Sequence, residues 1–402
     1  MMMSDSAAAN RNQSSRPETL LTVVIPNFNQ MDFLPRAVAS ILEGETREIE
    51  IIIVDDGSTD DSEAMLAFLE ALNPRITVIR CKTNQGAPAA LNRGLAAARS
   101  RYVSFLGADD FVTPNLYMPL VRALDNKPAA ALACSQIAIV GSDGSLRGIR
   151  PITPPSFRTE YLDPQTICRR IESTDHWICS TTAVYRTDLL RVAGGFDVTL
   201  GVFHDIIVER ILAFQHGFVY VPGVRAVFRV AASTLSGSTL LDQNENTRQL
   251  EIARERLSTS IVGQLAPDYP DLFARRLRFS AARLQLVWNG RNADPNVIVK
   301  VAGGTDTDIK ALAAIHQTIG FGTMGRILAL GWLTFRLRPF SPFYLMVHSL
   351  RNRFTLILNR RRITDWIRRM DDARREMITA AGTGASPVPA GARDEHADLR
   401  GF

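Results

Sequence analysis

Between residues 20 and 110 the chain alternates short runs of β-branched and aromatic residues with segments whose apolar positions recur at helical spacing. The runs are LTVVIPNF (21–28), EIEIIIVDD (48–56), ITVIR (76–80) and RYVSFLGADD (101–110). They are short and nearly continuous, as strands covered on both faces are. Between them lie MDFLPRAVASILE (31–43), DSEAMLAFLEAL (61–72) and GAPAALNRGLAAARS (86–100). Pro35 and Pro88 fall near two of the helix starts, where a missing N–H costs nothing. The alternation predicts parallel strands flanked by helices, with right-handed crossovers. Ligands of such sheets sit at the carboxyl ends of the strands, and three of the runs end in polar groups, PNFN, DDGSTD and GADD.

From 129 to about 235 the pattern changes. ALACSQIAIVGSDGSLRG (131–148) predicts a strand entering a hairpin, and Pro151, Pro154 and Pro155 mark a loop. WICSTTAVYRTDLL (177–190) and GFVYVPGVRAVFRV (217–230) are expected strands, with HDIIVERILAFQHG (204–217) a helix that Gly217 ends. Beyond about 240 the pattern is mostly helical, most clearly over ENTRQLEIARERLSTSIVGQL. The expected organisation is a tail over 1–18, a domain over 19–238 divided at 128/129, a basic helical region over 239–378 and a tail over 379–402.

Composition narrows the function classes. The 402 residues, 46% of them hydrophobic and 22% charged, describe an ordinary globular chain with room for more than one domain. Cys81, Cys134, Cys168 and Cys179 show no CxxC or CxH spacing, which argues against zinc and disulfide frameworks and for a reducing, cytoplasmic setting. The polar start carries no signal-peptide pattern, and no uncharged apolar run reaches the roughly 20 residues of a membrane span. The net charge of +5 is unevenly placed. Residues 326–375 hold 12 arginines, no lysine and only Asp365, Asp371 and Asp372 as acids, interleaved with Trp332, Phe335, Phe340, Phe343, Tyr344 and Trp366. That mixture suits short interfacial helices on an anionic membrane, with Pro339 and Pro342 breaking the run. A solvated helical bundle packed on the rest of the chain is the plain alternative. Nucleic-acid binding ranks below both, since no other motif supports it.

Five motifs in order, VVIPNFNQ, IIVDDGSTDDS, NQGAPAALNRGLAAARSRYVSFLGADD, GGFD and HDIIVERILAFQHG, resemble the family 2 glycosyltransferases of GT-A fold. The resemblance covers roughly residues 20–236. It implies an α/β, Rossmann-like mixed sheet with helices on both faces, followed here by a helical C-terminal extension. It also implies that Pro26 and Asn27 approach a nucleotide base, that Asp56 accepts hydrogen bonds from base or ribose, and that Asn84 and Gly86 shape the nucleoside loop. Asp55 is expected to be structural. Asp109 falls on the family's metal-binding aspartate, with Asp110 beside it and Gly107 where the family usually places a further acid. The implied cofactor is Mg or Mn, which would offset diphosphate charge as the bond to the sugar breaks. Asp205 takes the place of the general base.

Three departures qualify the match. His204 stands where an acid is usual, and could tune Asp205, contact the acceptor or cap the helix. Ala231 replaces a common histidine, leaving Arg229 to face the diphosphate or the surface. Leu91 replaces an arginine before Asn92. Elsewhere, His176 and Trp177 are candidates for the acceptor cleft and His316 for a helix core. The resulting expectation is a metal-assisted, inverting glycosyltransferase acting from a nucleotide-sugar donor on a glycan or lipid-linked acceptor. It would work in the cytoplasm, with peripheral membrane contact through residues 326–375. The alternatives are a GT-A-fold scaffold without turnover and, further off, a nucleotidyltransferase, whose glycine-rich, lysine-containing start this chain lacks.

Overall fold

The computed structural model describes residues 19–44, 48–151, 154–175, 177–230, 243–339 and 342–383. The expected tail over 1–18 and most of the one over 379–402 lie outside them, as do His176 and Ala231. Strands β1 (Leu21–Asn27), β2 (Ile49–Asp55), β3 (Ile76–Arg80) and β4 (Tyr102–Phe105) alternate with α1 (Leu34–Leu42), α2 (Ser62–Leu72) and α3 (Ala87–Ala97). Period-two packing shows why both faces of these strands are apolar. Val23, Ile25, Ile51 and Ile53 turn toward α1 and α2, in a core with Leu34, Val38, Met65 and Leu69. Val24, Ile52 and Val54 turn the other way, toward Ala90, Leu91 and Leu95 of α3.

The second half adds β5 (Phe111–Val112), α4 (Tyr117–Asp125), the hairpin β6 (Leu132–Gly141) and β7 (Leu146–Arg150), β8 (Glu160–Leu162) and α5 (Pro164–Arg170). It continues through β9 (Val184–Arg186), α6 (Thr187–Val192), α7 (His204–His216) and β10 (Phe218–Val230). The sheet runs β3-β2-β1-β4-β9-β6-β10-β5, with β7 beside β6 and β8 beside β10. The first four strands are parallel, while β9 runs against both β4 and β6. This is the mixed α/β sheet with helices on both faces that the resemblance implies. The order 3-2-1-4 reverses direction at β1/β4, so the crevice where such sheets bind ligands opens outside the ends of β1 and β4.

One expected strand is mostly something else. Over 177–190 only Val184–Arg186 is extended, between a 3₁₀ turn at Ser180–Thr182 and helix α6. The polar Arg186 and Thr187 explain the short strand. Arg186 is buried, donating to the backbone oxygens of Ala130 and Leu124 at 2.9 and 2.7 Å, and a helix begins directly after it. Trp177 is also core, stacked on Phe218.

Beyond β10 come α8 (Gln243–Thr259), α9 (Ile261–Leu265), α10 (Tyr269–Trp288), α11 (Pro295–Ala302), α12 (Asp306–Ile319), α13 (Thr323–Leu337) and α14 (Pro342–Thr383). The basic run is interrupted between Leu337 and Pro342, as expected, but the piece after the break is not short. Pro342 sits at a helix start, where proline is tolerated, and opens a helix of 42 residues that passes the expected boundary at 378. His316 is only half-buried, against Phe321.

The helical region shares its core with the sheet domain. Leu250, Leu257, Tyr269 and Phe273 pack into the same cluster as α3 and α7. A buried polar network reinforces this contact. The Tyr269 hydroxyl donates to Asp175 at 2.8 Å and accepts from Arg210 Nε of α7 at 2.7 Å. Arg276, fully buried, lies 3.3 Å from Asp175 and donates to the backbone oxygens of Ile171 and Pro339. Removing one member of a buried ion pair leaves an uncompensated charge and costs about 3–5 kcal/mol. Arg276→Ala is therefore expected to lower the unfolding free energy by that amount in urea titration. A loss below about 1 kcal/mol would show that the network does not anchor the helices.

Candidate active site

The first strand ends form a self-contained polar knot. Asn27, buried, donates from Nδ2 to Asp55 Oδ1 at 2.8 Å. Asp55 also accepts from the Ser58 hydroxyl at 2.6 Å and the Ser58 N–H at 3.2 Å. Asp55 is thereby committed to the turn after β2, and Asn27 offers its amide nitrogen to the protein. Pro26 beside it is half-buried.

Asp56 is arranged differently. Its Oδ2 accepts the backbone N–H groups of Gln85 and Gly86 at 2.9 and 2.7 Å, which joins the end of β2 to the loop before α3. Its Oδ1 is buried without a hydrogen-bond partner among the described residues. An unpartnered buried carboxylate oxygen is costly and awaits a donor. Asn84 is exposed and accepts from the Gly86 N–H at 2.8 Å, so Asn84, Gly86 and Asp56 share one loop.

At the end of β4 the two aspartates divide their tasks. Asp110 is buried; its Oδ1 accepts the Arg229 N–H at 2.9 Å and its Oδ2 the Thr181 hydroxyl at 3.3 Å. It pins the end of β4 to the end of β10 and to the 3₁₀ turn. Asp109 is only partly buried, and its backbone oxygen is held by Arg36 Nη2 at 2.9 Å. Burial pushes the carboxyl of Asp109 above its ordinary range, against the Arg229 and Arg36 charges. Burial raises Asp110 well above it, with Asp109 adding to the rise. A cation would relieve both. A Cβ at Gly107 would lie 3.2 Å from an oxygen of each aspartate, so glycine leaves them room.

No cluster of three or more metal-binding side chains occurs among the described residues. The residues present still fit a Mg- or Mn-type ion, because Asp109 supplies one partly exposed carboxylate and such ions draw their other ligands from phosphates and water.

On the other side, GGFD is a tight turn clamped by Asn92, which donates to the Phe196 oxygen at 2.7 Å and accepts its N–H at 2.9 Å. Gly195 sits at φ +67°, and a Cβ there would strike Asn92 at 2.5 Å. His204 is buried against Phe196, and its Nδ1 donates to the Gly201 oxygen at 2.6 Å. That bond places a proton on Nδ1 and ties the ring to the turn before α7. Asp205, partly exposed in the first turn of α7, accepts the Ile206 N–H at 2.6 Å.

Sequence reasoning missed Glu209, one helical turn beyond Asp205 and fully buried. Tyr185 donates to it at 2.8 Å. Burial, then the Asp205 charge, lifts its carboxyl to about 8, against hydrogen bonds from Tyr185 and Ser180. The i, i+4 spacing of two acids in HDIIVERI is the signal that was available. Ser180 and Thr181 are adjacent, and they contact Glu209 and Asp110 respectively. One short turn therefore links the Asp109/Asp110 pair to the Asp205 helix.

Several proteins are similar to this chain. The sequence profile described as glycosyl transferase family 2 matches residues 22–192. The glycosyltransferase GlyG of Streptococcus pneumoniae is 31% identical over 151 residues, 38% of this chain and 50% of that protein. The succinoglycan biosynthesis protein ExoO of Rhizobium meliloti is 34% identical over 128 residues, 32% of this chain and 36% of its own. The matched regions thus span half or less of these relatives' lengths. Among solved structures, the UDP-GlcNAc complex of S. aureus TarS (residues 1–349) aligns over 91% of this chain and 92% of that one, at 15% identity and a TM-score of 0.49.

Glu209 carries a pH signature. In the unfolded chain its carboxyl ionises near 4.5, and in the folded protein near 8. Between these values the native state holds a proton that the unfolded state releases, so stability falls as pH rises across that window, by up to about 1.4 kcal/mol per pH unit. Glu209→Gln is expected to flatten the fall in Tm between pH 5 and pH 8. An unchanged slope would mean that Glu209 is ionised in the fold.

Proposed function

We propose, from the match of residues 22–192 to the glycosyl transferase family 2 profile, that the chain transfers a sugar from a nucleotide-diphosphate donor to a hydroxyl of a glycan or lipid-linked acceptor, with inversion. The single observation that carries this reading is the linked pair of acidic sites. A partly exposed Asp109 and a partly exposed Asp205 are joined through Asp110, the 180–182 turn and Glu209.

The donor would enter at the β1/β4 crevice, where Asp56 Oδ1 accepts an N–H or O–H of the nucleoside beside Pro26, Asn84 and Gly86. A divalent ion on Asp109 would neutralise the charge growing on the departing diphosphate. Asp110 keeps Asp109 at the end of β10 beside Arg229. Asp205 takes the proton of the acceptor hydroxyl as that oxygen attacks the face opposite the diphosphate. Glu209, carrying its own proton below pH 8, adds no second negative charge beside that base. The succinoglycan role named for ExoO supports a place in surface polysaccharide or glycolipid assembly.

The same reading includes a peripheral membrane contact. No helix among the described residues is long and apolar enough to cross a membrane. Helix α13 exposes Met324, Ile327 and Phe335, and α14 exposes Phe354, Ile357 and Leu358, at 57–72% of their surface. Arg338, Arg360 and Arg361 are exposed alongside. Apolar side chains edged by arginine favour an anionic interface.

With nucleotide sugars and manganese, Asp205→Asn is expected to lower kcat about 10²- to 10⁴-fold with donor binding retained. Asp109→Ala is expected to abolish the dependence on metal. A scaffold would bind donor without turnover and would be indifferent to Asp205, and that outcome defeats the enzyme reading. Ile357→Asp with Leu358→Asp should release the protein from phosphatidylglycerol vesicles in sedimentation assays; equal binding would remove the membrane contact.

A further inference from the structure

The C-terminal helix reaches back to the donor site. Phe33, just before α1, has three guanidinium groups around its ring. Arg229 from β10 lies 4.1 Å from the ring centre, Arg374 from α14 at 5.5 Å and Arg36 from α1 at 5.9 Å. Arg36 is the buried member, bound to Asp371 of α14 at 3.0 Å and to the Asp109 backbone oxygen at 2.9 Å. One side chain therefore connects α14 to the loop that carries Asp109.

Like charges are gathered here only where something offsets them. The Arg374 charge presses the Arg36 pKa down, adding to the effect of burial, while Asp371 and Asp110 pull it up. Asp32 meets Arg374 at 3.4 Å but is itself largely exposed, so it screens the cluster weakly. Nε of Arg36 and of Arg374 are both buried without an acceptor among the described residues. The Arg229 side chain makes no hydrogen bond among them either. Its charge faces Asp109. Arg229, facing Asp109, and Arg374, which shares the Phe33 ring with it, make a site for an anion with several oxygens. Arg forks match phosphate oxygens in pairs, which a single point charge does not.

We propose that Arg374 of α14, together with Arg229, binds the diphosphate of the donor, so that the C-terminal helix completes the donor site. The inference rests on the glycosyltransferase reading. Asp371 and Arg36 act as positioning residues, since they hold α14 and the Asp109 loop in one register without touching the ligand.

Titration calorimetry on the full chain without metal provides the test, using UDP, GDP, ADP, CDP and inorganic pyrophosphate, with the matching nucleosides as phosphate-free probes. Arg374→Ala is expected to weaken the diphosphate that binds by about tenfold and leave nucleoside binding unchanged. Arg374→Lys should recover only part, because the fork is lost. Arg375→Ala, an equal change of charge at the next residue, exposed and paired with Asp372, should stay within about twofold of the parent. Unchanged diphosphate binding in Arg374→Ala would overturn the inference and leave the glycosyltransferase reading standing. Equal weakening in Arg375→Ala would overturn it in favour of a general field. Reduced binding of Arg374→Ala to phosphatidylglycerol vesicles, with diphosphate binding intact, would assign the cluster to the membrane instead. Failure of the parent protein to bind any of the diphosphates, with manganese added as well as without it, would overturn both readings.

Discussion

A buried carboxylate that must be satisfied organises the centre of this protein. Asp110 lies inside the sheet domain and cannot keep its charge or its lone pairs without donors. It finds them at the Arg229 N–H and the Thr181 hydroxyl, 119 and 71 residues further along the chain. Satisfying this one side chain brings the end of β4, the end of β10 and the 180–182 turn to a common point. Asp109, next in the chain, is thereby presented partly open at the same edge. The Asp109 loop is held because Asp110 is bonded at both carboxylate oxygens.

The helical C-terminal region follows the same logic. It is not an appendage solvated on its own. Tyr269 and Arg276 of α10 both engage Asp175 Oδ2, and Arg210 of α7 donates to Tyr269. The helix that carries Asp205 therefore depends on Tyr269, 59 positions downstream, for its buried Arg210 guanidinium. At the other end of the region, Asp371 of α14 receives Arg36, which holds the backbone of Asp109. Helix α14, which holds the Asp109 loop through Arg36, also exposes apolar residues and arginine. A surface that binds a membrane there would lie on an element that holds one of the two sites in place.

Much of this was legible from residue order. The strands from β1 to β3 and β10 fall where apolar runs place them, and α1, α2, α3 and α7 follow their periodicity and proline positions. Asp55, expected to be structural, is bonded to Asn27 and Ser58. The errors have particular causes. Apolar spacing across 177–190 resembles a strand, but Arg186 is drawn inward to satisfy the carbonyls of Ala130 and Leu124. Pro342 does interrupt the basic run, but it also opens a 42-residue helix instead of a short piece. Glu209 was passed over because one acid among isoleucine and valine gives no sign of its depth.

Local order thus determined which segments are strands or helices, that polar residues gather at strand ends, and which acids are available for chemistry. These depend on side-chain period, proline geometry and residue type, all of which act over a few positions. Tertiary structure alone decided which acids stay charged, which are spent on the fold and which stand open to a ligand. Desolvation and Coulomb forces act through space, and the partners that set them here lie as far apart in the chain as Arg36 and Asp371.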